Sequence, residues 1–237
     1  MKHAPKRAFL GALFAAFLIT GCASLGAPAV AAREHANLGA LKTELKAYHD
    51  SGDYDRALAA VAAQAQAYVE TRAAQVTRPA LVLDIDETSL SNWAVLIAND
   101  FGYIPGGACD VLPRGPCGQL AWDASGRATA IPGTLALFRA ARARNVAGFF
   151  ISARREAERA ITEADLHAIG YSDWAGVALR PDDAHGGTTA DFKTGERARI
   201  ETQGYTIIAN VGDQLSDLSG GHSERTFKLP NPYYIIP

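Results

Sequence analysis

Two pairs of carboxylates in this sequence are spaced so that they could act together. Asp84 and Asp86 follow one apolar run, and Asp213 and Asp217 follow another. One pair alone would mean little, because Asp-x-Asp is a common tripeptide and an aspartate after a strand often caps a helix. Four carboxylates that meet at one rim repel one another strongly unless a cation neutralises them. An all-oxygen site of this kind suits Mg²⁺.

The chemistry that requires such a set is phosphoryl transfer. A phosphate monoester is a dianion, which a carboxylate can attack only when Mg²⁺ screens the two charges from each other. A second carboxylate can protonate the leaving alcohol and then activate water against the acyl phosphate. A hydroxyl and an ammonium group can bind the remaining phosphoryl oxygens. Ser152, which follows a third apolar run, and Lys193 are the candidates for these two groups.

The elements that must position these residues are short buried strands that alternate with helices. Apolar runs predict strands buried on both faces at 81–83, 146–151, 175–179 and 206–211. The intervening stretches predict helices at 132–144, 155–169 and 193–203. Alternation of this kind indicates a parallel sheet with crossover helices, which is an α/β fold. Ligands bind beyond the carboxyl ends of such strands, where the candidate residues lie.

Residues 35–75 precede the first strand and have the apolar spacing of helices. The sequence Ser51-Gly52-Asp53 interrupts the pattern and can begin a second helix. Because neither stretch contains a chemical motif, we expect both helices to be packing elements.

The order and spacing of the candidate residues resemble the four motifs of the haloacid dehalogenase (HAD) superfamily. The segments LVLDIDETSLSN, FFISARRE and NVGDQLSDL…RTFKLPNPYYI are similar to the class III (subfamily IIIB) acid phosphatases. These include bacterial lipoprotein acid phosphatases and plant acid phosphatases related to vegetative storage proteins. The resemblance covers about residues 35–237. It implies a HAD-like Rossmannoid parallel sheet with flanking helices, an N-terminal helical segment and a small cap insertion.

The resemblance also implies a role for each matched residue. Asp84 is implied as the nucleophile and as a Mg²⁺ ligand, and Asp86 as the general acid/base whose backbone carbonyl also reaches Mg²⁺. Ser152 and Lys193 are implied to bind the phosphoryl group. Asp213 is implied as the third protein ligand of Mg²⁺.

Three further residues have less direct expected roles. Asp217 is expected to support the metal through water or to orient Lys193. Thr88 is expected to hydrogen-bond within its loop rather than to touch the substrate. Arg154 is left open between a substrate contact and an ion pair at the start of a helix.

The insertion, residues 89–131, separates the first two motifs and is implied by the resemblance to form a cap that selects substrates. Its aromatic side chains either stack on a nucleobase or phenyl group of the substrate or pack the cap. These side chains are Trp93, Phe101, Tyr103 and Trp122. In an exported chain the close pair Cys109 and Cys117 favours a disulfide, with two buried free thiols as the alternative.

The N-terminus predicts the compartment. Residues 1–21 have the basic start and the short apolar run of a signal peptide. The sequence Leu18-Ile19-Thr20-Gly21-Cys22 resembles the lipobox of bacterial lipoproteins, which implies cleavage before Cys22 and lipid attachment to its sulfur. Residues 22–34 are predicted to be a tether. Since Ala23 and not aspartate follows Cys22, the sequence favours the outer membrane of a bacterial cell envelope.

The composition and charge of the chain limit the classes of molecule that it is expected to bind. The chain of 237 residues has a formal net charge of −2, and nothing in the sequence indicates the basic face of a nucleic-acid binder. We therefore expect a Mg²⁺-dependent acid phosphatase acting on small phosphate monoesters, nucleotides among the candidates. The alternatives are a phosphotransferase and a non-catalytic, lipid-anchored binding protein on the same scaffold. The sequence predicts no oligomeric state.

Overall fold

The computed structural model describes residues 35–184 and 186–236. The strands of this part are β1 (Pro79–Leu83), β2 (Leu90–Ser91), β3 (Thr129–Ala130), β4 (Ala147–Arg155), β5 (Gly176–Arg180), β6 (Thr206–Gly212) and β7 (Thr226–Lys228). Its α-helices are α1 (Leu38–Asp50), α2 (Asp53–Arg72), α3 (Trp93–Ala98), α4 (Gln119–Asp123), α5 (Pro132–Arg142), α6 (Arg159–Ala168), α7 (Thr189–Thr202) and α8 (Leu215–Leu218). The predicted signal peptide, Cys22 and the tether lie outside the described residues.

The central sheet has five parallel strands in the order β5-β4-β1-β6-β7. Leu83, the last residue of β1, lies opposite Phe150 of β4 and Val211 of β6. The carboxyl ends of these three strands therefore meet at one edge of the sheet. The predicted parallel sheet is confirmed, and its edge strand β7 is an addition that the sequence did not predict.

Both faces of the sheet are buried, as its uninterrupted apolar strands require. Successive side chains of a strand point to opposite faces. Leu81 and Leu83 accordingly belong to the larger apolar core, beneath α2, α5 and α6, whereas Ala80 and Val82 belong to the smaller core beneath α7.

Local sequence features determine where two of the helices that flank the sheet begin. Pro132 occupies the first turn of α5, where its missing N–H costs no hydrogen bond. At α7 the Thr188 hydroxyl accepts from the Asp191 amide, and the Asp191 side chain accepts from the Thr188 amide. This capping box starts the helix at Thr189, so Lys193 lies one turn inside α7 and not at its beginning as predicted.

The insertion contains α3, α4 and the short antiparallel pair β2–β3. Cys109 and Cys117 are joined by a disulfide, which confirms the predicted pairing. The Asn99 side chain forms two hydrogen bonds with the backbone of Cys117. Its amide donates to the Cys117 carbonyl at 2.8 Å, and its oxygen accepts from the Cys117 N–H at 2.8 Å. The loop that leads into α4 is thus fixed at two points.

The helices also bear on the question of membrane insertion. Across residues 35–184 and 186–236, none combines the length and the apolarity needed to cross a bilayer.

Candidate active site

A cavity of about 620 Å³ opens at the carboxyl ends of β1, β4 and β6. Its floor contains the polar residues of the first, second and fourth strands predicted from the sequence. Apolar side chains from the insertion and from the C-terminal segment form much of its wall. These side chains are Val95, Leu96, Phe101, Tyr103, Leu120, Ile235 and Ile236.

One side of the floor is the Lys193 cluster, which consists of Asp84, Lys193, Asp213 and Asp217. The Lys193 ammonium donates to Asp84 Oδ1 and, at 2.6 Å, to Asp217 Oδ1. All four side chains are buried. Strand β1 ends immediately before Asp84 and β6 immediately before Asp213, so neighbouring strands bring the two carboxylates together.

Charge and burial oppose each other in this cluster. Burial raises the pKa of Asp84 well above its ordinary value, against the lowering effect of Lys193. Burial and the nearby Asp217 likewise raise the pKa of Asp213. Burial alone would lower the pKa of Lys193, but Asp84 and Asp217 raise it. Because it contains three carboxyl groups and one ammonium, the cluster offers acidic ligands for a further cation.

Three neutral side chains orient Asp213. The Thr88 hydroxyl donates to Asp213 Oδ1 at 3.1 Å, so its partner lies beyond the end of β6 and not within its own loop as predicted. The side-chain amides of Gln214 and Asn231 both donate to Asp213 Oδ2 at 2.7 Å. Asn231 belongs to the segment that follows β7, so the C-terminal residues contribute directly to this carboxylate.

A divalent cation would find an all-oxygen set of ligands here. One carboxylate oxygen from each of Asp84, Asp213 and Asp217 lies within 4.8 Å of the others. Hard divalent cations prefer such oxygens. The side chain of Asp86, the other predicted ligand, lies outside this group and makes different contacts. Its predicted contact was through the backbone carbonyl.

The other side of the floor is the Arg154 cluster, which consists of Asp86, Asn92, Asp123 and Arg154. Arg154 grips Asp86 with two donors, Nε to Oδ2 at 3.0 Å and Nη2 to Oδ1 at 2.8 Å. The Asn92 amide also donates to Asp86 Oδ1, at 2.8 Å. Burial acts to raise the pKa of Asp86, but the charge and the hydrogen bonds of Arg154 outweigh it and lower the pKa. Arg154 thus forms an ion pair with Asp86, but from within β4 and not at the start of a helix as one of its two expected roles had it.

Arg154 is shared with two further carboxylates. Its Nη2 lies 3.3 Å from Asp123 Oδ1, in the insertion, and its Nη1 lies 3.7 Å from Asp165 Oδ2, in α6. Burial raises the pKa of Asp123 to about 7, even though Arg154 opposes this shift. One guanidinium group thereby links the sheet, the insertion and α6.

Glu87 lies between the two clusters. Its carboxylate accepts a hydrogen bond from the backbone N–H of Asn92 at 2.7 Å and another from the Tyr234 hydroxyl at 2.5 Å. Burial raises the pKa of Glu87 to about 8. Its backbone has φ of +53°, a left-handed conformation that is unfavourable for a residue with a side chain. The hydrogen bonds hold the residue in that conformation.

Ser152 lies near the end of β4 and lines the cavity. Its side chain is buried, and its Oγ accepts from the Arg154 amide at 3.2 Å. The hydroxyl thus faces the same cavity as Asp84 and Lys193.

Several residues of the site were not predicted. Asn92 and Asn231 stand inside the segments that carry the family resemblance, so the resemblance could have indicated them. The same holds for Gln214, whereas Asp123 has no such signal, since an isolated carboxylate is common on any surface. The insertion's aromatic residues differ in their surroundings: Trp93 stacks on His49 with ring centroids 3.7 Å apart, Trp122 is buried, and Phe101 and Tyr103 line the cavity.

The sequence matches the family model described as HAD superfamily, subfamily IIIB (Acid phosphatase), over residues 21–237. The chain belongs to this family. The resemblance predicted from the motifs is therefore confirmed.

Two plant proteins are among the relatives of this subfamily IIIB chain. The stem 28 kDa glycoprotein of Glycine max is 40% identical over 118 residues, which are 48% of this chain and 46% of the relative. Acid phosphatase 1 of Solanum lycopersicum is 33% identical over 160 residues, which are 67% of this chain and 60% of the relative. The chain thus spans about half the length of these curated relatives.

A solved structure supports the fold. The class C acid phosphatase from Bacillus anthracis superposes with a TM-score of 0.64 and 21% identity, over 84% of this chain and 86% of that chain. At this identity the similarity concerns the fold, and the predicted HAD-like α/β architecture is confirmed.

The relatives correct the prediction of localisation. The curated relatives are plant proteins and not bacterial envelope lipoproteins, so the prediction of a protein anchored by lipid at Cys22 in the bacterial outer membrane is wrong. That prediction depended on a short apolar run followed by a cysteine. Such a brief pattern carries little information about the compartment of a protein.

Proposed function

We propose that this protein is a Mg²⁺-dependent acid phosphatase that hydrolyses small phosphate monoesters through a phospho-aspartate on Asp84. The observation that carries the proposal is the position of Asp84. Its carboxylate lies at the end of the central strand, contacts the Lys193 ammonium and lines the cavity. Family membership supports the same activity.

The residues of the Lys193 cluster fit a hard divalent cation because their free donors are carboxylate oxygens. Asp84 and Asp213 would hold the ion, together with the backbone carbonyl of Asp86, and Asp217 would hold Lys193 in place. A bound Mg²⁺ would screen the negative charges of Asp84 and the phosphoryl group from each other.

In the first step an Asp84 oxygen attacks phosphorus, and the bond between phosphorus and the ester oxygen breaks. The ester oxygen takes a proton from Asp86 and leaves as the alcohol. In the second step Asp86 accepts a proton from water, whose oxygen attacks phosphorus and releases inorganic phosphate from Asp84. Ser152 and Lys193 donate hydrogen bonds to the phosphoryl oxygens in both steps.

The environment of Asp86 supports an acidic working range. Arg154 lowers the pKa of Asp86, which favours the carboxylate needed in the second step. The protonated form needed in the first step is correspondingly populated only in more acidic solution. Chemistry that requires both forms is therefore expected to be fastest at acidic pH.

The test is hydrolysis of p-nitrophenyl phosphate by the full chain between pH 4 and pH 8, with Mg²⁺ or with EDTA. We expect Mg²⁺-dependent turnover that Asp84→Asn lowers at least about a thousandfold. Acid quenching with ³²P-labelled substrate should trap label on the wild type and none on Asp84→Asn. Turnover that survives Asp84→Asn would contradict the covalent mechanism, and turnover that EDTA leaves unchanged would contradict the metal.

A further inference from the structure

Two consecutive residues at the end of α4 contact the two groups that hold Asp86. The indole N–H of Trp122 donates to Asn92 Oδ1 at 2.7 Å. Asp123 Oδ1 accepts from Arg154 Nη2 at 3.3 Å. Asn92 and Arg154 each donate to Asp86. Helix α4 is therefore one hydrogen bond removed from Asp86 on both sides.

These contacts are buried, so they constrain the groups they join. Trp122 is 2% exposed and Asp123 5% exposed. Polar contacts removed from water are stronger than exposed ones, and leaving one of their partners unsatisfied is costly. The side chains of Asn92 and Arg154 consequently have little freedom to adopt other rotamers.

Without Asp123, the guanidinium group of Arg154 could move toward other polar side chains. Its Nη1 faces Thr162 Oγ1 at 3.4 Å and Asp165 Oδ2 at 3.7 Å, on the branch that does not contact Asp86. Asp165 Oδ2 has no hydrogen-bond partner among the described residues, so it could attract a released guanidinium group. The attraction of Asp123 for Arg154 thus opposes that of Asp165 and keeps Nη2 in contact with Asp86.

We propose that Trp122 and Asp123 are positioning residues for Asp86, through which the insertion fixes the orientation of the proton donor toward the leaving alcohol. The inference rests on the proposed function of the same site. It gives the insertion a part in proton transfer in addition to the expected selection of substrates.

The rest of the insertion holds α4 in place. The amide of Gln119 donates to the Ile104 carbonyl at 2.7 Å, and the Gln119 side chain donates to Asp123 Oδ1 at 2.9 Å. The ring of Trp122 packs with Val95 and with Cys117 of the disulfide. The position of α4 therefore depends on the folded insertion as a whole.

Substrates with different leaving groups separate this role from a merely structural one. p-Nitrophenolate is stable as an anion and needs little protonation, whereas the alkoxide of an alkyl phosphate must be protonated as it leaves. The value of kcat/KM reports only the steps up to release of the alcohol. A misplaced Asp86 should therefore lower kcat/KM for the alkyl phosphate much more than for p-nitrophenyl phosphate.

The variants are Asp123→Asn, which keeps the shape and removes the charge, and Trp122→Phe, which keeps an aromatic ring and removes the donor. We expect kcat/KM for glycerol 2-phosphate to fall about tenfold to a hundredfold, and that for p-nitrophenyl phosphate to fall less than about threefold. Asp110→Asn is the matched control, because it removes a carboxylate from an exposed part of the insertion away from the cavity.

Thermal unfolding and calorimetric titration with Mg²⁺ show whether each variant folds and keeps the Lys193 cluster. An equal loss on both esters in folded variants, or no loss on either, would overturn the positioning role alone. A wild type that hydrolyses neither ester would overturn the proposed function, and this inference with it.

Discussion

The Lys193 and Arg154 clusters each pair a neighbouring aspartate with a cation, but in different ways. Each places a cation against an aspartate of the short sequence Asp84-Ile85-Asp86, of which Asp84 is buried and Asp86 half-buried. The ammonium of Lys193 is a compact charge shared between carboxylates, whereas Arg154 grips Asp86 with a planar fork. The pKa of Asp84 is raised and that of Asp86 is lowered.

This difference shows how two carboxylates that are close in the chain can have pKa values shifted in opposite directions and can therefore suit different roles. The charge balance around Asp84 leaves room for a metal ion, as the proposed nucleophile of a phosphate dianion requires. The contacts of Asp86 suit the proton transfer proposed for it instead. The Lys193 cluster is built from the sheet, α7 and the residues after β6, while the Arg154 cluster depends on the insertion as well. If the proposed roles hold, changes in the insertion should alter proton transfer by Asp86 without moving Asp84.

The largest expected effect comes from Lys193→Met, which removes the only cation that contacts Asp84 among the described residues. We expect activity to fall about a thousandfold. Stability in EDTA should fall by about 3–5 kcal/mol, because two buried carboxylates lose their counter-charge. Added Mg²⁺ should restore part of this stability, as measured by thermal unfolding.

Lys228→Met, at an exposed position of β7, is the control for loss of a lysine. A Lys193→Met protein that is as stable as the wild type in EDTA would show that the cluster does not carry the proposed excess of negative charge.

A smaller effect is expected from Asn231→Ala, which sharpens the division between the clusters. Asp213 loses one of its donors, and the affinity for Mg²⁺ should weaken about tenfold, as measured by calorimetry without substrate. The ratio of activities on alkyl and aryl phosphates should not change. Asn92→Ala, in the other cluster, should do the reverse. If both variants changed both properties, the two clusters would be one energetic unit.

The smallest effect on activity is expected from Glu87→Gln, since Glu87 joins the clusters without belonging to either. The pKa of Glu87 is about 8 in the folded protein against an ordinary value of 4.5. Between these pH values the folded state holds the proton more tightly than the unfolded state, so stability declines as pH rises. Glutamine cannot lose a proton, and the variant should lack this part of the decline.

In EDTA the Tm of Glu87→Gln should be close to that of the wild type near pH 5 and exceed it by roughly 10 °C at pH 8. Circular dichroism at both pH values measures this. Parallel pH dependences in the two proteins would show that Glu87 is ionised throughout the range.

The sheet and the Lys193 cluster could be predicted from the sequence because their signals are local. Each strand is a short apolar run, and its last residue leads directly to Asp84, Ser152 or Asp213. Parallel strands then bring these residues to one edge, whatever the length of the connections. The disulfide was predictable for the same reason, since Cys109 and Cys117 are close in the chain.

The Arg154 cluster and the support of Asp213 could not be predicted in this way. Arg154 meets Asp86 across 68 positions of the chain, and Tyr234 meets Glu87 across 147. Apolar periodicity reports neighbours within one element and says nothing about such pairs. Long side chains such as arginine can also reach several partners, so the ion pair and a substrate contact were equally consistent with the sequence.

The disulfide in the insertion has a practical consequence for preparing the protein. A chain produced in a reducing cytoplasm would carry Cys109 and Cys117 as thiols, and its loop would be held by hydrogen bonds alone, among them those of Asn99. Two preparations of one sequence could then differ in the insertion while their sheets remained the same. Mass spectrometry without reductant is therefore the first quality check before kinetic constants from different expression hosts are compared.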